Sequence, residues 1–520
     1  MRILQVLHEF PPDAWAGVGL VTLQLSQALQ ARGHEVAVLT RIDDPDAEEF
    51  SLREEQRYDL EVIAVVNNYT KITSLRSTYD NDFFTEPFIQ LLTRVRPDVV
   101  HFQHVAHFSP NLIMTAAELG YPTVLSLHDF YFACHLLHLV DQQNVLCPGP
   151  DRGERCVACL RAHGAAEEIR ARFLFMDNAL QTADLVLAPS QFLAQRMAQY
   201  FPAIAPRLRV APLGVDRPPL VRREERRPGQ PLRILYAGVL IPQKGAHVLL
   251  EAVQELPPQG FRISLYGNVL AYWQPYVDHL YEMAKGLPVR FSGVYAHDEL
   301  GAILAQHDVL VVPGICEETF SLLTREALLA GLPVIAARRG ALPEAIRDGE
   351  NGFFFEPEDP ADLRRRLLRL VEDPDLLARL REPQPRVRTV AEYTEEIEAM
   401  YQEVCSDAFR AEVLPQRLAA RRKRVGDLQQ RNAALQTELE KWRARHAVVE
   451  GQRSCETAQL RRERDEARAM LEEKERQLQE HQARLQAIYQ STTWKLYRCY
   501  CVLSDYAYQR PLSWLRRWLR

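Results

Sequence analysis

The 520-residue chain has no apolar run long enough to cross a bilayer. ALLAGLPVIAA is among its longest, against the roughly 20 residues that a spanning helix needs. The amino end, MRILQVLHEF, is too short and too soon charged for a secretory leader. A basic excess is missing as well: the net charge of −6 gives no reason to expect nucleic acid as a partner. These absences point to a cytoplasmic protein, in which the nine cysteines are expected as thiols or ligands rather than disulfides. The length exceeds what one core serves, so two or three domains are expected.

What is present is a repeating alternation. RILQVL, EVAVLT, DVVHF, TVLSLH and DLVLAPS read as strands, with helical patterns such as VTLQLSQALQARG between several of them. The alternation begins again with LRILYAG, FRISLYG, PVRFSG, DVLVVP and PVIAA. This predicts an α/β chain of two doubly wound, Rossmann-like parallel-sheet domains. The expected boundaries are 1–210 and 211–388, with a closing helix at 389–410. Such sheets bind ligands beyond the carboxyl ends of their strands, so two facing domains imply a cleft.

Proline is also missing between Pro415 and Pro511. Over 415–488, Val425, Leu428, Asn432, Leu435, Leu439, Trp442, His446 and Val449 fall on heptad a and d positions. After Gly451 the register resumes at Leu460, Leu471, Leu478, Leu485 and Ile488. A coiled coil joining copies or a partner is expected, or else a solvated helix; a continuous one would span about 110 Å. The tail at 489–520 carries Lys495, Arg498, Arg510, Arg516, Arg517 and Arg520, and its last thirty residues hold seven aromatics. That mixture suits an anionic membrane surface, reached through residues 490–520, or a protein partner.

Three stretches carry chemistry. HEFPPDAWAGVG places Gly17 and Gly19 in a strand-to-helix turn, where backbone approaches an anion closely. YAGVLIPQKGAHVLLEAV puts Gly238 at a strand end, followed by Lys244 and Gly245. EETFSLLTREALLAGLPVIAA places Glu318 in a loop and Glu326 in a helix, both near one sheet edge. Carboxylates there can accept paired hydrogen bonds from vicinal hydroxyls, as sugars and riboses offer.

Together with GLPVIAARRGALPEAIRDGENGFFFEPEDP, these features resemble the retaining GT-B glycosyltransferases of family four over residues 1–405. The resemblance implies that Glu326 binds the ribose of a nucleotide-sugar donor and Glu318 the transferred sugar. Lys244 and a Gly17 N–H would meet the diphosphate, with backbone at Thr319, Phe320, Ser321 and Leu322 assisting. His128, in LSLHDFY, matches the histidine beside the transferring sugar. Two positions depart from the family: Val239 stands where Arg is frequent, and Ala16 replaces the first glycine of a pair. No Asp-x-Asp motif lies near the donor site, and no catalytic metal is expected. The tail also resembles those of bacterial polysaccharide glycosyltransferases. This implies a lipid-linked or oligosaccharide acceptor in surface polysaccharide (O-antigen, capsule or similar) biosynthesis, with the enzyme peripheral on the inner face of the cell membrane. The alternatives are a catalytically silent GT-B scaffold acting through its coiled coil, for which Val239 speaks, and a soluble glycosyltransferase with a free sugar acceptor.

Cys134, Cys147, Cys156 and Cys159 follow His128 in an insert at 129–165. Four thiolates ending in Cys-x-x-Cys suit a structural Zn²⁺, with free or redox-active thiols or an iron–sulfur cluster as alternatives. His135, His138 or His163 could replace a thiolate.

Overall fold

The computed structural model describes residues 1–406 apart from 14, 16, 82, 219–225, 228, 383–385. Beyond these it describes chiefly 433–443 and 459–490, with side chains over 465–483 in the latter. Ala16, the seam positions Val425, Leu428, Asn432, His446 and Val449, and the basic aromatic tail from residue 491 on lie outside the described residues.

Eight strands build the first sheet: β1 (Arg2–Val6), β2 (Glu35–Ile42), β3 (Leu52–Arg57), β4 (Leu60–Val66), β5 (Val99–Phe102), β6 (Thr123–Ser126), β7 (Leu185–Ala188) and β8 (Leu208–Val210). Their order is β3-β4-β2-β1-β5-β6-β7-β8. All neighbours are parallel except β3 and β4, an antiparallel pair at the edge. The alternation of runs and helices predicts parallel strands only. LREEQR escapes that pattern because an edge strand facing water can be charged throughout.

The second sheet holds β9 (Leu232–Ala237), β10 (Phe261–Tyr266), β11 (Val289–Gly293), β12 (Val309–Val312), β13 (Val334–Ala337) and β14 (Gly352–Phe355). It is parallel throughout, in the order β11-β10-β9-β12-β13-β14. Helices flank it, and Ile234, Val309, Val311, Ile335 and Phe353 pack with Leu249, Val253, Leu363 and Leu367 in one buried cluster. Strands buried on both faces read as unbroken apolar runs, which is why they are legible in the sequence.

The strand order reverses between β1 and β5 in the first sheet and between β9 and β12 in the second. Ligand crevices in doubly wound sheets open at such points. The chain crosses between the sheets twice, and the crossings touch. The Val215 N–H donates to the Arg388 carbonyl (2.8 Å) and the Val390 N–H to Asp216 (3.0 Å). After the second crossing, helix Val390–Cys405 returns to the first sheet, burying Tyr393, Ile397 and Tyr401.

Residues 433–443 and Gln459–Gln490 form a separate helical unit. Lys474 pairs with Glu438 (3.0 Å) and Arg443 with Glu475, so the two stretches lie side by side within one chain. A single continuous helix would hold residues 438 and 474 about 50 Å apart. These two stretches are therefore not parts of one straight helix. Leu439, a seam position, is buried.

Candidate active site between two sheet edges

In the second domain, β9 ends at Ala237 and a 3-10 turn, Pro242–Lys244, brings Lys244 back to the sheet edge. Gly245 has φ +72°, and a Cβ there would stand 2.1 Å from the Pro313 carbonyl oxygen. Only glycine allows this turn to lie against the end of β12. Lys244 Nζ lies 2.6 Å from Glu318 Oε1, an ion pair between the two strand ends at the reversal point. Burial opposes the lysine's charge, but Glu318 and Cys316 outweigh it and hold the ammonium firmly protonated.

Glu318 is itself gripped from behind. Its carbonyl accepts from the Ala341 N–H (2.7 Å), and a Cβ on Gly340 would meet its backbone at 2.2 Å. Ser321, at φ +62°, turns the chain into helix Leu322–Leu329. That helix buries Glu326, whose carboxyl burial pushes up to about 7. His297 Nε2 approaches Glu326 Oε1 at 3.6 Å, and Tyr295 also adjoins this carboxyl. Neither His297 nor Tyr295 is singled out in the sequence; both sit just beyond β11, where ligand-lining loops belong.

The first domain meets this loop directly. Thr319 Oγ1 donates to the His128 carbonyl (2.6 Å), and Ser190 Oγ donates to the Thr319 carbonyl (2.7 Å). Arg196 pairs with Glu317, and Gln243 donates to Asn144 (3.2 Å). Gly17 begins helix Gly17–Ala31 with Leu322 Cδ1 as the nearest neighbour of its would-be Cβ, at 3.4 Å. Gly17, His128, Lys244, Glu318, Thr319 and Leu322 are thus gathered at one place. Phe320 turns inward instead: its ring is buried under the Arg325 guanidinium, 3.6 Å away.

His128 stands at the end of β6, half-buried, its Nε2 2.9 Å from Gln103 Oε1. Burial, reinforced by His104, lowers its imidazole to about 3, so it is neutral. Next to it, Asp129 pairs with His104 (3.0 Å). Burial works against that carboxylate, but His104 and the Tyr131 N–H overcome it and hold it at about 2. Burial lowers the His138 imidazole to about 4, with Lys244, Asp129 and Glu318 as its electrostatic neighbours.

The cysteine insert is only partly loop. Cys156 and Cys159 sit one turn apart on helix Glu154–Leu160. All four cysteines are free thiols, and Cys156 has Cys147 and Cys159 as electrostatic neighbours. Burial pushes the thiols of Cys134 up to about 12 and Cys156 up to about 11. Among the described residues, three or more ligand atoms lie within 4.8 Å of one another only at His8, Glu9 and His107. The four sulfurs are not gathered to that spacing. His8, Glu9 and His107, missed in the sequence, line the β1/β5 reversal point; Tyr69 hydrogen-bonds His107 Nδ1 (2.7 Å).

Two doubly wound sheets with facing edges, one presenting an ammonium and two carboxylates and the other a neutral histidine, define a class of two-domain ligand-binding α/β proteins. Comparisons with known proteins narrow it. Residues 15–217 match the family profile "Glycosyltransferase Family 4", and residues 231–373 match "Glycosyl transferases group 1". Residues 15–373 thus carry the paired domains of a GT-B glycosyltransferase of family-four type.

Among curated proteins, the chain is 32% identical over 206 residues to the sulfoquinovosyl transferase SQD2 of Arabidopsis thaliana, covering 37% of this chain and 39% of that one. It is 32% identical to the D-inositol 3-phosphate glycosyltransferase of Streptomyces bingchenggensis (42% and 52% covered). It is 28% identical to the glycogen synthase of Mycobacterium tuberculosis (72% and 87% covered). The chain spans 39–56% of the length of the first four relatives it matches. Of solved structures, a sucrose-phosphate synthase from Thermosynechococcus elongatus shares the fold (TM-score 0.57, 19% identity, 81% and 99% covered). So does the Anabaena protein HepE in complex with UDP and glucose (TM-score 0.53, 19% identity, 77% and 99% covered).

Proposed function

We propose that this chain is a glycosyltransferase that moves a sugar from a nucleotide-sugar donor to a glycan acceptor, with retention of anomeric configuration. The observation that carries this reading is the Lys244–Glu318 pair at the strand-order reversal of the second sheet, tied through Thr319 to His128. Lys244 neutralises the departing diphosphate, assisted by N–H groups of the loop beyond Ser321 and of Gly17. Glu326 accepts from the ribose hydroxyls and Glu318 from the transferred sugar. Catalysis is electrostatic: the site stabilises the leaving diphosphate and holds the acceptor in line, with the leaving phosphate taking the acceptor's proton on the same face. None of these roles needs a metal.

The acceptor in this reading is a lipid-linked surface glycan, with the basic aromatic tail at the inner membrane face. Among the described residues no helix is long and apolar enough to cross a membrane. A second reading, a small free acceptor, is favoured by the match to D-inositol 3-phosphate glycosyltransferases. A structural zinc on Cys134, Cys147, Cys156 and Cys159 belongs to the proposal too. It requires the sulfurs to close to about 3.8 Å apart around the ion. About one zinc per chain in protein purified under reducing conditions supports that site, and zinc-free folded protein removes it.

Turnover tests the main reading. Purified protein is given a panel of nucleotide sugars with either a membrane lipid extract or soluble polyols and oligosaccharides. Label entering the lipid fraction supports the lipid-linked acceptor, and label entering a soluble product supports the second reading. Nucleoside diphosphate released from no donor contradicts both.

A further inference from the structure

Three polar side chains interrupt the apolar strands of the first sheet where their neighbours are fully buried. Gln5 lies in β1, His101 in β5 and Gln103 just past β5, all without solvent exposure. Gln5 and His101 are register partners across β1 and β5. A buried amide or imidazole in such a place is costly unless bonded. These are bonded, and to one another.

The chain of contacts starts on the returning helix Val390–Cys405. Tyr401 Oη lies 2.6 Å from His101 Nδ1 and accepts from Gln5 Nε2 at 3.1 Å. Gln103 Nε2 donates to Gln5 Oε1 (3.0 Å) and lies 3.2 Å from His101 Nδ1. His101 Nε2 reaches Ser126 Oγ at 2.8 Å, and Tyr393 of the same helix also bonds Ser126. At the far end, Gln103 Oε1 lies 2.9 Å from His128 Nε2.

We infer that Gln103 and Tyr401 are positioning residues that fix the tautomer of His128. With its amide nitrogen committed to Gln5 Oε1, Gln103 presents only its carbonyl oxygen to His128. A carbonyl can only accept, so the neutral imidazole carries its proton on Nε2 and keeps a lone pair on Nδ1. His128 then acts as a hydrogen-bond acceptor toward a sugar hydroxyl. Tyr401 sets the polarity from the other end: its hydroxyl proton goes to His101 Nδ1, leaving its oxygen to accept from Gln5. Two segments separated by the whole second domain are thereby coupled, and the controlling hydroxyl comes from the segment that joins the two sheets.

This rests on the reading of His128 as the residue beside the transferring sugar, but its test does not need turnover. Full-length protein labelled with ¹⁵N-histidine is assigned at His128 by comparison with His128→Gln, and its ring nitrogens are followed against pH. The expected wild-type result is a neutral Nε2–H ring that does not titrate between pH 5 and 8. Gln103→Glu places a carboxylate on Nε2 and should bring a His128 titration into that range. Tyr401→Phe keeps the ring packing and should shift the His128 nitrogen signals toward a tautomer mixture, which packing alone would not do. Should Gln103→Glu fail to fold, Tyr401→Phe carries the test. An Nδ1–H ring in the wild type overturns the inference, and so do His128 signals unmoved in the folded variants. Donor binding measured on the same samples shows separately whether the donor reading stands.

Discussion

Lys244 Nζ and Glu318 Oε1 stand 2.6 Å apart, joining the ends of two neighbouring strands across the point where strand order reverses. The lysine is therefore charged and held in place before any ligand arrives. A diphosphate entering here meets a fixed ammonium. Charge-assisted hydrogen bonds of this kind contribute about 1.5–3 kcal/mol. Lys244→Met should therefore weaken nucleoside diphosphate binding roughly 10- to 100-fold while leaving the bare nucleoside nearly unaffected. Calorimetry with both ligands checks this, and equal losses for the two would contradict the role.

Glu326 should make both stability and binding pH-dependent. Its carboxyl rises from 4.5 to about 7 on burial, so the folded chain holds this proton more tightly than the unfolded chain. The stability it contributes is complete below about 4.5 and is lost as pH rises through about 7. Glu326→Gln should consequently stabilise the protein at pH 8, by up to roughly 3 kcal/mol, and change little near pH 4.5. Thermal unfolding at both pH values reads this directly. In the role proposed for Glu326, ribose hydroxyls donate best to the ionised carboxylate, so donor binding should have the opposite sign. Affinity should fall as pH drops from 8 to 6 in the wild type and stay flat in Glu326→Gln.

Gly340→Ala should disturb the loop that carries Glu318. The new methyl would sit 2.2 Å from the Glu318 carbonyl oxygen, at a backbone φ of +60°. Such overpacking costs about 1–3 kcal/mol, and here the displaced group carries the ion pair to Lys244. Reduced urea resistance together with lost nucleotide affinity is the expected outcome. Unchanged affinity would mean that Glu318 tolerates the shift.

Removal of residues 490–520 should abolish binding to vesicles containing anionic lipid and leave nucleotide binding intact. Co-sedimentation measures the first and calorimetry the second. Vesicle binding that survives the truncation would assign the membrane contact elsewhere.

Much of the sheet framework is legible because buried parallel strands are continuous apolar runs: VLVV forms β12 and VIAA forms β13. The charged LREEQR of β3 and the short LRV of β8 are not, since edge strands need no such run. That Lys244, Glu318 and Glu326 share one sheet edge is legible because they sit on local turn and helix patterns. His297 beside Glu326 was not, and neither was the bond from His101 to Tyr401, which spans 300 positions. The clue to the latter was local all the same: Gln5 and His101 are polar residues inside strands that otherwise read as core.

The most direct test of the donor site is binding of a panel of nucleotide sugars to wild type and Glu326→Ala side by side. The account predicts that one nucleotide class binds the wild type and is lost in the variant, while both proteins unfold cooperatively. A donor that binds both equally, or no binding by folded wild type across the panel, would contradict it.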